Sequence, residues 1–186
     1  MKVLTLVVAL LLAASPVWAK KKEPPKQPKP CAECPDETVD AKQPCYSLRP
    51  GRLFHRCEPQ SLPYARCRTG NQCCRGNYEL SPVSWYKCED VSGHTSATPV
   101  GASVLILGDN SRHRMSTGHV FYVEKVEHKG GDKWELILSH TNYDRKCHIE
   151  TNVRADYDAR AKVLAMKTGH WSAWGKDLKA MGFIVK

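Results

Sequence analysis

Ala102-Ser-Val-Leu-Ile-Leu107, His119-Val-Phe-Tyr-Val-Glu-Lys-Val126 and Trp134-Glu-Leu-Ile-Leu-Ser-His140 decide the fold. The first stretch is rich in branched residues and almost wholly apolar, which predicts a strand buried on both faces. The second and third flank Lys129-Gly-Gly-Asp132. Glycines there supply the positive φ of a hairpin turn, so the two stretches pair antiparallel. Upstream, a helix is expected over 62–71 with Ser61 as its N-cap. Gly76 and Pro82 read as breaks after it, Pro99-Val-Gly101 as a turn and Gly108-Asp-Asn-Ser111 as a loop. Two further strands are expected at Val163 to Met166 and at Gly182 to Val185. One helix followed by a strand series predicts an α+β domain, with a short N-terminal helix packed on an antiparallel sheet.

The other end of the chain concerns its destination. Lys2 is followed by an apolar run from Val3 to Ala14, and Val17 and Ala19 put small residues at the two positions a signal peptidase reads. This predicts a secretory signal over 1–19 and a secreted or periplasmic product. The run is too short to cross about 30 Å of hydrocarbon as an anchor. Residues 20–30 read KKKEPPKQPKP, a Lys/Pro-rich linker that cannot bury a core. Residues 31–56 form a Cys-containing extension without a clear period, and 57–186 the main domain.

Nine cysteines argue for an oxidising compartment in which most of them pair. An odd number leaves at least one thiol free or paired to another chain. Cys73 and Cys74 are adjacent, too close for an ordinary bridge to each other. Cys31-Ala-Glu-Cys34 has CxxC spacing, but Pro35 follows and no second CxxC exists, so a structural disulfide is expected there. The formal net charge of +9 favours anionic partners such as wall polymers or lipid headgroups, met through the Lys-rich tail. No zinc-finger, helix-turn-helix or RNA-binding aromatic pattern points to nucleic acid.

Three motifs in order carry a family resemblance. Val100-Gly-Ala-Ser-Val-Leu-Ile-Leu107, Arg114-Met-Ser-Thr-Gly-His-Val120 and Ile137-Leu-Ser-His-Thr-Asn-Tyr143 resemble the CHAP (cysteine, histidine-dependent amidohydrolase/peptidase) family. The similarity runs from Ser61 to about Tyr143. It implies a papain-like fold, with the disulfide-tied extension added at its N-terminus. It also implies His119 as the catalytic base, with Asn142 and His140 as the groups that orient it. Such orientation holds an imidazole in its useful tautomer.

In the family variant that this chain most resembles, the nucleophilic cysteine opens a Cys-x-Pro-Tyr-Ala-Arg stretch at a helix start. Here that stretch reads Ser61-Leu-Pro-Tyr-Ala-Arg66, so Ser61 stands in the nucleophile position. Cys73, after Gly70-Asn-Gln72, is the best alternative nucleophile, and Cys57 lies four residues upstream of Ser61. The resemblance implies cleavage of an amide bond in peptidoglycan or its stem peptides, by an amidase or endopeptidase without metal or other cofactor. The serine points to the alternative, a catalytically inactive scaffold that binds wall peptides or a protein partner.

Overall fold

The computed structural model describes residues 45, 49–50, 57–58, 60–71, 73–74 and 81–185. The expected signal peptide, the linker and most of the Cys-containing extension lie outside the described residues. Two short pairing strands come first, β1 (Arg49–Pro50) and β2 (Cys57–Glu58). The helices α1 (Ser61–Thr69) and α2 (Pro82–Val91) follow. Then come β3 (Thr95–Ser96), β4 (Val104–Leu107), β5 (His119–Gly130), β6 (Lys133–Thr141), β7 (Ile149–Asp158), β8 (Val163–Met166) and β9 (Leu178–Ile184).

The expected papain-like α+β layer is corrected here. Strands pair in the order β3-β9-β4-β5-β6-β7-β8, and β8 pairs back onto β9. Every pairing is antiparallel, so β4 to β9 close into a six-stranded barrel with β3 added at the edge of β9. Closure moves the main core inside the barrel rather than between a helix and a sheet, and it removes free edges from those six strands. Leu105, Leu107, Phe121, Val123, Leu136, Leu138, Val153, Ala155 and Tyr157 supply much of that interior. The alternate residues Val104, Ile106, Val120 and Ile184 pack instead with Ala65 of α1 and Trp85 of α2. The four residues of β4 are therefore fully buried, as their composition predicts.

The two-residue strands β1, β2 and β3 were not expected, and neither were two longer elements. Pro82, read as a break, is the first residue of α2: Ser81 Oγ accepts the Ser84 amide at 3.1 Å, and proline is well placed at N1 because its missing N–H has no helical partner to lose. Strand β7 carries few apolar residues, and only its alternation of buried Val153, Ala155 and Tyr157 with polar neighbours betrays it. The β5–β6 hairpin is as predicted, with Gly130 opposite Lys133 and Gly130 and Gly131 at positive φ.

Cys45–Cys67 ties part of the extension to α1, and Cys74–Cys88 ties the segment after α1 to α2. Cys73 and Cys147 are also disulfide-bonded, and no described cysteine is free. Helix α1 is clasped to the barrel's outer face through Tyr64 and Arg68. Arg68 makes a two-point ion pair with Glu124 at 2.8 and 2.9 Å and lies 4.0 Å over the Tyr122 ring. Tyr64 donates to Ser139 Oγ at 2.9 Å, and Ser139 donates to Glu124 at 2.6 Å. These bonds hold the helix axis, and so determine where its first turn sits.

Candidate active site

His119 is the first residue of β5, opposite Leu107 of β4. The Gly118 before it has φ +77°, and a Cβ there would lie 2.3 Å from the Leu107 carbonyl oxygen. Only glycine lets the chain enter β5 so close to β4. Strand alternation puts the His119 ring on the same inward side as Phe121, whose ring lies 5.2 Å away, edge to face.

The side chain that meets His119 is His140, near the end of β6. His119 Nε2 lies 2.9 Å from His140 Nδ1. His140 Nε2 lies 3.0 Å from Glu150 Oε2 on β7, and Glu150 Oε1 accepts the backbone N–H of His170 at 2.8 Å. Trp171 covers the pair, its ring 4.7 Å from His119 and 5.1 Å from His140. His119 is 7% exposed and His140 fully buried. Burial pushes the His119 imidazole well below its usual range, and the neighbouring His140 adds to this. Burial also lowers His140, partly offset by Glu150. The hydrogen bond from His140, together with the His170 amide, holds the Glu150 carboxyl below its usual range. At neutral pH the cluster is two neutral imidazoles in series with one carboxylate.

Asn142 does not take the orienting place at His119. Strand β6 ends at Thr141, and Asn142 has φ +55°, which breaks the alternation that would put it on one face with His140. Its Nδ2 instead donates to Gln60 Oε1 at 2.6 Å, and its Oδ1 accepts the Cys147 amide at 3.2 Å. Gln60 is the N-cap residue of α1, and its Nε2 lies 3.1 Å from Cys147 Sγ. Asn142 thus anchors the start of α1 to the loop that follows His140.

Ser61 is the first residue of α1 rather than its cap. Among the described residues its hydroxyl has no hydrogen bond, including none to His119. Gln60 makes no side-chain cap, and Pro63 has no amide, so the N–H groups of Ser61 and Leu62 head the helix without helical partners. Cys73 is removed as a nucleophile by its disulfide, and the side chain of Cys57 lies outside the described residues. Among the described residues no group of three or more His, Cys, Asp or Glu side chains is arranged to hold a metal ion.

Glu150 was passed over in the sequence because it sits in the unrecognised strand β7, and Trp171 because its loop matched no motif. A ring contact continues from Trp171 to Trp174 at 5.1 Å, and from there to His113 at 5.0 Å. His113 lines a cavity of about 140 Å³ together with Asp109, Ser111, Arg112 and Asp177. No family model matches the chain, and no curated protein or solved structure matches it significantly.

Proposed function

We propose that this is an exported, CHAP-like protein directed at bacterial peptidoglycan, hydrolysing an amide bond of its stem peptides with Ser61 as nucleophile. The observation that carries this reading is the His119–His140–Glu150 chain, buried beneath Trp171. Two histidines bonded to each other inside a barrel contribute less to packing than apolar residues would, and burying them has a desolvation cost. Such a chain is suited to holding and moving a proton.

In the proposed reaction Ser61 Oγ attacks the amide carbonyl carbon and its proton passes to His119. The C–N bond breaks, and His119 returns the proton to the leaving amine. Water then cleaves the acyl-serine ester by the same path, so an amide and one water give a carboxylic acid and an amine. The amides heading α1 suit the oxyanion that forms in each step. The Lys-rich tail at 20–30 suits the anionic polymers of a wall or lipid headgroups.

The test uses the exported protein on purified peptidoglycan, with mass spectrometry of the released fragments. The expected result is release of new amino groups, abolished by Ser61→Ala and by His119→Ala. A folded, correctly bridged wild type that releases nothing overturns the hydrolase reading. A second reading, a non-catalytic scaffold binding wall peptides, is favoured by two observations: Ser61 makes no hydrogen bond to His119, and no described cysteine is a free thiol. Its mark is retention of the protein on peptidoglycan without turnover.

A further inference from the structure

We infer that Glu150 is a positioning residue that dictates which ring nitrogen of His119 carries the proton, leaving Nδ1 bare for the nucleophile. The inference rests on the reading of His119 as a base.

The argument is one of donors and acceptors. An ionised carboxylate can only accept. Glu150 Oε2, 3.0 Å from His140 Nε2, therefore requires the proton of His140 on Nε2. A neutral imidazole carries one N–H, so His140 Nδ1 is then an acceptor. It faces His119 Nε2 at 2.9 Å, which must donate. The one proton of neutral His119 is thereby fixed on Nε2, and Nδ1 keeps its lone pair. The opposite arrangement would set lone pair against lone pair around a His140 that water does not reach. The lowered basicity of both rings agrees with the neutral forms that the argument requires.

The second carboxylate oxygen links this chemistry to the cover. Glu150 Oε1 accepts the His170 amide at 2.8 Å. The preceding Gly169 has φ +83°, and a Cβ there would lie 3.0 Å from the carboxylate. The glycine lets the loop dock on Glu150, and the loop then lays Trp171 over both imidazoles. The groups that face this chain are His119 on β5, His140 on β6, Tyr143 and His170 on loops and Glu150 on β7.

The decisive measurement is the nitrogen-15 NMR of the histidine side chains at neutral pH. It is made on the exported protein, with His119→Ala and His140→Ala used to assign the signals. In the wild type, His119 should show a protonated Nε2 and an Nδ1 with the shift of a bare ring nitrogen. In Glu150→Gln the amide can accept or donate, so both rings should lose the single tautomer. Trp171→Phe, which loosens the cover but keeps the carboxylate, should leave both shifts in place. A wild-type His119 protonated on Nδ1 overturns the inference. So does a folded Glu150→Gln protein with unchanged shifts, or a Trp171→Phe protein that reproduces the Glu150→Gln pattern. These readouts need no turnover: a wild type inactive on peptidoglycan but with the expected tautomers sinks the hydrolase reading and leaves this one standing.

Discussion

Asn142 Nδ2 lies 2.6 Å from Gln60 Oε1, and through this bond the Asn of Ser139-His-Thr-Asn142 holds the start of α1 instead of His119. The role the sequence implied for Asn142 and the one it has differ in what its loss should do. Asn142→Ala removes two partly buried hydrogen bonds, to Gln60 Oε1 and from the Cys147 amide, and puts alanine at positive φ. A loss of about 1–3 kcal/mol in stability is expected, read from urea midpoints. The His119 tautomer should be unchanged in the same protein. A variant that alters His119 without loss of stability contradicts this placement.

The buried imidazoles make stability depend on pH. His119 and His140 both have folded basicities below their ordinary range. An unfolded histidine takes up a proton near pH ~6.5. Below that pH the unfolded chain binds protons that the folded protein refuses, so this contribution is present above ~6.5 and is lost as the pH falls. Glu150, also depressed, adds a further loss as the pH falls below the ordinary glutamate range of about 4.3. Urea midpoints should decline between pH 7.5 and 5.5, and His119→Gln should flatten that decline. A midpoint constant over this interval contradicts the burial of neutral rings.

Cys74–Cys88 closes a loop of separation 14 that joins the segment after α1 to α2. Chain-entropy arguments put such a bridge at about 2–4 kcal/mol. The double variant Cys74→Ser, Cys88→Ser should lose that much and should bring Trp85, fully buried on α2, into partial contact with solvent. Tryptophan fluorescence and urea melts check both. An unchanged melt would mean that α2 is held by its contacts with Ala65, Val104 and Ile184 alone.

Local pattern made part of this molecule legible. Val104 to Leu107 announced a doubly buried strand, Gly130-Gly131 a hairpin, and Gly118-His119 a histidine at a strand start. Barrel closure was not legible, because it depends on β8 meeting β9, a pairing between strands whose composition is compatible with an open sheet as well. The site was half legible for a related reason. His119 and His140 stand in recognisable motifs, whereas Glu150 joins them from the unrecognised strand β7, opposite His140 in the β6–β7 ladder, and Trp171 from the β8–β9 loop. The exclusion of Cys73 rests on a disulfide, which spacing does not reveal.

The start of α1 gives the sharpest test of whether Ser61 occupies a working nucleophile position. Ser61→Cys exchanges a hydroxyl for a more acidic and more nucleophilic group. The helix N-terminus stabilises the thiolate, and a bare His119 Nδ1 within reach would lower the thiol's pKa further below the usual ~8.5. The new thiol should therefore be alkylated by iodoacetamide at pH 7 faster than a model thiol. Ser61→Cys combined with His119→Ala should slow alkylation about 10-fold, the helix contribution alone remaining. Cys147 must be watched. Its sulfur lies 3.1 Å from the side-chain Nε2 of Gln60, the residue before the substitution, and a thiolate at 61 that reached the Cys147 bridge would exchange with it. Peptide mapping of the bridges before alkylation separates exchange from direct reaction. With the bridges intact, a thiol of ordinary reactivity that is indifferent to His119→Ala shows that Ser61 and His119 do not form a pair, whereas fast alkylation that falls with the histidine places them in one site.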